Sequence, residues 1–282
     1  MNIVSADQIA EIVREAIPGL AFDLPADIHA ALVAARDRET SPRAAQALAL
    51  LCENAQVAST DRVPICQDTG SVWVCLEAGP DVLVAGDALA RVNEAVGAAY
   101  VDSLLRKSIV RDALFDRTNT GDNTPAFCEV KLVDRPGARL HIMLKGGGSD
   151  NASRVVMLVP GAQKQGIIDA LVACVNEKAA NACPPLVIGI GIGSTFDKVA
   201  GLAKHALMRP LDVPAPDDRV AALEQELLEI VNATGIGAAA LGGDTTALGV
   251  RVETAPCHIA ALPLAINLGC SAMRRGTYEL VF

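Results

Sequence analysis

Three cysteines in tight, breaker-rich turns, far apart along the chain, constrain the fold more than any other feature. Cys66 lies in Pro64-Ile65-Cys66-Gln67-Asp68-Thr69-Gly70, Cys183 in Ala182-Cys183-Pro184-Pro185, and Cys270 in Gly269-Cys270-Ser271. No Cys-x-x-Cys pair occurs anywhere, so the short knuckles of zinc sites and small electron-transfer ferredoxins are missing. Three isolated loop thiols suit an iron–sulfur cube held at three corners, with one iron left open. Such an iron is a Lewis acid and not merely an electron carrier. The cluster would then be held by loops.

Proline and glycine beside these cysteines supply the bends that a bulky cluster needs. The other thiols read as small hydrophobes, the common state of free cysteine. Cys174 falls within an apolar helical pattern, Cys52 and Cys75 at core positions, and Cys128 in a strand. Cys257 competes for the third ligand position, because it follows Pro256 and begins an apolar run.

At 282 residues, the chain can bury a substantial core in one large domain or two modest ones. It is 51% hydrophobic, but much of that is alanine. The longest apolar stretches, such as residues 259–268, are too short to span a bilayer, and Pro263 interrupts that one. The opening Met1-Asn2-Ile3-Val4-Ser5-Ala6-Asp7 has no basic-then-apolar leader pattern. A cytoplasmic protein with reduced thiols is expected, with no membrane association. A net charge of −9 and 3% aromatic residues argue against nucleic acid, which calls for basic surface and stacking platforms.

Helical patterns cover Ala6 to Ile17 and Ala26 to Arg38, broken by Pro18-Gly19, and Ser41-Pro42 opens a third helix toward Val57. Residues 1–60 therefore read as a helical lobe. A short strand over Val72 to Leu76 and a long helix from Asp87 to Lys107 follow. Phe127 to Val133 and Arg139 to Leu144 read as a hairpin turning at Arg135-Pro136-Gly137. Later come a helix from Gln163 to Asn181, a buried strand from Leu186 to Ile192, and helices from Thr195 to Met208 and Arg219 to Asn232. The irregular mixture predicts an α+β fold in a single domain, 1–282.

Lys145-Gly146-Gly147-Gly148-Ser149 can cradle an anion, through glycine backbone N–H groups and the lysine charge; its spacing is not that of a Walker loop. Gly189-Ile190-Gly191-Ile192-Gly193 invites a dinucleotide reading. However, its spacing is Gly-x-Gly-x-Gly and no acidic strand end follows, so close strand–helix packing is the better reading. Asp68 stands two residues from a candidate ligand. Arg106, Arg154, Arg274 and Arg275 could each neutralise a dianion, with Arg274 favoured for its place four residues after Cys270. A lone histidine such as His258 is more often a core hydrogen-bonding residue than a catalyst.

Taken together, these segments resemble the alpha-type domain of the class I iron–sulfur fumarases and L-tartrate dehydratases, from about residue 45 onward. The anchors are Cys66-Gln67-Asp68-Thr69-Gly70, Asn119-Thr120-Gly121, Lys145-Gly146-Gly147-Gly148-Ser149, Ala182-Cys183-Pro184-Pro185 and Cys270-Ser271-Ala272-x-Arg274, in the family's order. The resemblance implies a [4Fe-4S] cluster with one open iron on Cys66, Cys183 and Cys270, demoting Cys257. It implies dicarboxylate contacts from Gln67, Asp68, Arg106 and the glycine loop Gly146, Gly147 and Gly148, with Asp68 and His258 assisting proton traffic; Lys145 and Arg274 join the substrate contacts on their charge and position.

Single-chain members continue into a second domain that supplies a catalytic threonine. This chain to Phe282 matches instead the alpha subunit of the two-subunit form, so a beta subunit is the expected partner, in a hetero-oligomer built on a dimer. Lys145 before the glycines resembles fumarases, whereas tartrate members tend toward Ala-Gly-Gly-Gly-Cys. Fumarate hydration to L-malate is therefore the expected activity, with L-tartrate dehydration second and a non-catalytic iron–sulfur scaffold or oxygen sensor as a reading of another class.

Overall fold

The computed structural model describes residues 2–282. Its strands are β1 (Asn2–Val4), β2 (Ser71–Ala78), β3 (Val82–Val84), β4 (Phe127–Leu132), β5 (Ala138–Lys145), β6 (Arg154–Leu158), β7 (Leu186–Ser194), β8 (Ala247–Cys257), β9 (Leu262–Gly269) and β10 (Arg274–Glu279). Its α-helices are α1 (Ala6–Phe22), α2 (Ala26–Arg38), α3 (Pro42–Asp61), α4 (Val92–Asp102), α5 (Gly147–Asn151), α6 (Gln163–Lys178), α7 (Val199–Ala206) and α8 (Asp218–Asn232). The architecture is α+β. Two compact units interleave along the sequence. The first holds the chain up to Pro25, Val57–Gly147 and Arg274–Phe282; the second holds Ala26–Gln56 and Gly148–Met273.

In the first unit, a four-stranded sheet has the order β10-β5-β2-β4. β5 runs antiparallel to both β10 and β2, and β4 runs parallel to β2. Alternate residues of a strand face one side, and Val72, Val74 and Leu76 of β2 join Leu140, Ile142 and Leu144 of β5 in one core. Ile9, Val13 and Ile17 of α1 and Val96 and Tyr100 of α4 complete that core. The hairpin expected between β4 and β5 does not form. Nearly every residue of β2 and β5 is buried, while β4 is almost wholly exposed. β2 therefore takes the centre beside β5, and β4 falls to the edge.

In the second unit, the sheet order is β6-β9-β7-β8, with β7 parallel to β8 and antiparallel to β9. Leu186, Ile188 and Ile190 of β7 pack with Leu171 and Val175 of α6 and Leu227 and Val231 of α8. The alternate residues explain the glycine run. A Cβ on Gly189 would lie 2.2 Å from the carbonyl oxygen of Ala203, and one on Gly191 would lie 2.5 Å from that of Val199. Helix α7 thus rests directly on strand backbone, which is the close strand–helix packing expected from the sequence.

Three further boundaries differ from expectation. Helix α1 continues through Pro18 to Phe22, because Leu20, Ala21 and Phe22 are buried and their packing offsets the hydrogen bond that proline removes. Helix α4 covers only the middle of its expected span. The opening helices do not make a lobe of their own: α1 belongs to the first unit, while α2 and α3 up to Gln56 belong to the second. By length and composition, residues 6–38 could cross a membrane. Within them Ile9, Val13, Ile28 and Leu32 are buried in protein, while Ile12, Leu24 and Val33 are half-buried.

Candidate active site

The Cys66 loop enters β2 and is fastened at nearly every residue. Arg274 donates from Nη1 to the Asp68 carbonyl oxygen at 2.8 Å. The Thr69 hydroxyl donates to the Arg106 carbonyl oxygen at 2.6 Å. Tyr100 places its hydroxyl 2.9 Å from the Thr69 carbonyl oxygen and 3.0 Å from that of Gly70. Asn123 donates from Nδ2 to the Gly70 carbonyl oxygen at 3.0 Å, while its Oδ1 accepts from the Ser108 N–H at 2.7 Å. Backbone carbonyls are obligatory acceptors, so a buried loop must find such donors.

The Asp68 carboxylate accepts from two backbone amides: Gly70 N–H at 3.0 Å and Gly147 N–H at 2.7 Å. A Cβ on Gly146 would lie 3.3 Å from Asp68 Oδ2 and 3.7 Å from Arg274 Nη2. The glycine thus leaves open the space between a carboxylate and a guanidinium. Arg274 is only 1% exposed, and its Nε has no hydrogen-bond partner among the described residues. Lys145 and Arg275 are also buried, at the ends of β5 and β10. The buried Arg274 guanidinium, with its Nε unpartnered among the described residues, suits an anionic ligand.

The first unit contains Cys66, Gln67, Asp68, Arg106, Lys145, Gly146, Gly147 and Arg274, of which Asp68, Gly147 and Arg274 are joined directly and Arg106 only through its backbone carbonyl. The Asn119-Thr120-Gly121 segment binds the backbone that follows Arg106. Asn119 Nδ2 donates to the Lys107 carbonyl oxygen at 2.9 Å, and the Thr120 N–H donates to Ile109 at 3.0 Å. Tyr100 and Asn123 were missed by sequence reasoning. Neither carries a motif; each is found only through the distant carbonyl it binds.

The second unit holds Gly148, Cys183, His258 and Cys270. Cys183 adopts a left-handed backbone (φ 54°) between the 3-10 turn Ala179–Ala182 and Pro184, a conformation unusual for any residue but glycine. Its carbonyl oxygen accepts from the Ser271 N–H at 3.1 Å, which ties the Cys183 and Cys270 turns together. A Cβ on Gly148 would lie 3.0 Å from the Asn181 carbonyl oxygen, just before Cys183. Gly148 therefore adjoins the cysteine turns of this unit. His258 is exposed in the turn between β8 and β9, where its Nδ1 accepts from the Ala260 N–H at 3.1 Å. Arg154 is paired with Glu177.

The comparisons decide the family. The model of the family described as "Fumarate hydratase (Fumerase)" matches residues 10–279. The chain belongs to the fumarate hydratase (Fumerase) family. It is accordingly a hydro-lyase. A protein of Methanocaldococcus jannaschii named "Putative L(+)-tartrate dehydratase subunit alpha" is 37% identical over 276 residues, covering 96% of this chain and 95% of that protein. The "L(+)-tartrate dehydratase subunit alpha" of Escherichia coli K12 is 30% identical over 277 residues, covering 97% of this chain and 91% of that protein.

Fumarate hydratases of this family depend on iron–sulfur chemistry, and the donor set here fits that requirement. All eight cysteines are free thiols. Cys52, Cys75 and Cys174 are buried, and burial pushes each thiol up, away from the thiolate that binds metal. Cys174 donates to the Ala152 carbonyl oxygen and Cys257 to that of Ala261, at 3.5 Å and 3.2 Å. Cys66, Cys183 and Cys270 lie in turns with their side chains partly or fully exposed, and the Cys66 thiol donates to Gln67 Oε1 at 3.5 Å, whereas the exposed Cys128 and Cys257 belong to strands β4 and β8.

Proposed function

We propose that this chain is the alpha subunit of an iron–sulfur hydro-lyase acting on L(+)-tartrate, completed by a separate beta subunit and working in the cytoplasm. The observation that carries the substrate is the match, over nearly the full length of both chains, to relatives named L(+)-tartrate dehydratase subunit alpha. The same names motivate the partner. This reverses the preference for fumarate drawn from Lys145. Fumarate stays the second reading, on that residue and on the family's own description.

Cys66, Cys183 and Cys270 are the residues we assign to a [4Fe-4S] cluster. When bound, an open iron there supplies Lewis acidity toward a substrate hydroxyl. The chain's own groups do the rest. Arg106, Lys145 and the Gly146–Gly148 loop, whose Gly147 N–H is engaged by Asp68, hold the two carboxylates and stabilise charge that develops on one of them as the C–H proton leaves. Gln67 fixes the substrate's orientation. Asp68, aimed by its two amide donors, and His258 carry protons toward and away from the site. Arg274 supplies positive charge beneath the Gly146 turn. Loss of water from a vicinal diol diacid leaves an enol, which ketonises to a 2-oxo acid.

The test is an anaerobic assay of this chain with the beta-type subunit of the same source. L(+)-Tartrate should give 2-oxo acid with a kcat/KM at least about ten-fold above that for fumarate hydration, and neither subunit alone should approach the pair. A ratio reversed in favour of fumarate assigns the second reading. Full activity from this chain by itself would sink the two-subunit proposal.

A further inference from the structure

The Asp68 carboxylate can act reproducibly only if the loop carrying it is rigid. Three carbonyls of that loop, on Asp68, Thr69 and Gly70, point inward and accept side-chain donors. Tyr100 serves two of them with one hydroxyl. Its side chain is fully buried on α4, among the apolar residues of the first core. Burial pushes its phenol well above the ordinary range, so it stays protonated and remains a donor. Asn123, also fully buried, serves Gly70 from the other side, in a left-handed conformation (φ 66°) that asparagine tolerates better than most residues.

We infer that Tyr100 is a positioning residue of the hydro-lyase site, fixing the Thr69 and Gly70 carbonyls so that the Asp68 carboxylate meets the Gly147 amide in one geometry, with Asn123 as its counterpart. Tyr100 touches no reacting atom in this account. The inference deepens the activity proposed above and rests on that reading for its kinetic arm. Its structural arm is independent of it.

The test compares Tyr100→Phe, which keeps the ring and removes the donor, with Val96→Ala, which truncates a buried residue one turn away on α4. Amide hydrogen exchange on the full chain reads Gly70 and Gly147, the two N–H groups held by Asp68. In Tyr100→Phe both should exchange about ten-fold faster, and kcat should fall about ten-fold with KM within about two-fold, as expected for one net hydrogen bond. Val96→Ala should lose comparable stability yet keep kcat when assayed well below its melting temperature. Unchanged exchange at Gly70 and Gly147, or an equal loss of kcat in Val96→Ala, overturns the inference. Should Tyr100→Phe fail to fold, Asn123→Asp removes the other donor without changing size and is judged by the same readouts. A wild-type pair that turns over neither dicarboxylate refutes the proposed activity, and the exchange comparison then decides this inference alone.

Discussion

Asp68 shows how much a single residue can reveal and conceal. Its place two residues after Cys66 was plain from the sequence; the two amides that orient it, Gly70 and Gly147, were not, since Gly147 is 79 residues away. A carboxylate fixed by backbone donors is a weak contributor to the core but a well-aimed proton carrier. Asp68→Asn should therefore keep both the fold and the visible absorbance of the assembled pair while lowering kcat by about a hundred-fold or more. Retained activity would return Asp68 to the role of a turn cap. Cysteines can be sorted in the same preparations: Cys270→Ser should bleach the protein and Cys257→Ser should not, because the Cys270 turn is tied to the Cys183 turn whereas Cys257 ends strand β8. The opposite pattern would move the third ligand. Tyr100 and Asn123 were illegible for a physical reason. Their partners are carbonyls 30 and 53 residues away, and no local pattern marks a side chain that binds remote backbone.

Among the elements, strand identity was legible and strand neighbours were not. Alternation and β-branched runs located β2, β5 and β7, yet β2 slips between β4 and β5 because it is the more fully buried strand. Helix α7 offers a paired test with two glycines. Gly191→Ala forces a Cβ to 2.5 Å from the Val199 carbonyl oxygen and should cost about 2–3 kcal/mol in urea denaturation. Gly201→Ala, on α7 with open space at its Cβ, should gain up to about 1 kcal/mol. Equal effects would mean that strand and helix are not in contact as described. The first sheet makes a pH prediction. Hydrogen bonding to His141, aided by Lys131, holds the Glu77 carboxyl down at about 2, against an ordinary 4.5. The folded state thus binds its proton later than the unfolded chain, so the stabilisation is complete above about pH 4.5 and is lost as pH falls toward 2. Glu77→Gln should be less stable at neutral pH and should show a flatter decline across that acid range in thermal melts; an unchanged decline would remove Glu77 from the account.

For the molecule as a whole, five short segments sufficed to point to the family that matches residues 10–279. They could do so because ligand and anion loops are defined by local spacing of cysteine, glycine and charge. The division into two interleaved units was hidden, since it depends on which distant strands pair. That interleaving has a consequence for how the protein is made. Strand β10 belongs to the first unit, yet every segment of the second unit precedes it in the chain. A ribosome therefore emits the second unit complete while the outer edge of β5 still lacks its partner, and an unpaired edge is where nascent chains mispair. Arg274 arrives on the same strand, so the Asp68 carbonyl gains its guanidinium only after the second unit has been made. The order of synthesis thus delays the site until β10 has emerged behind the second unit.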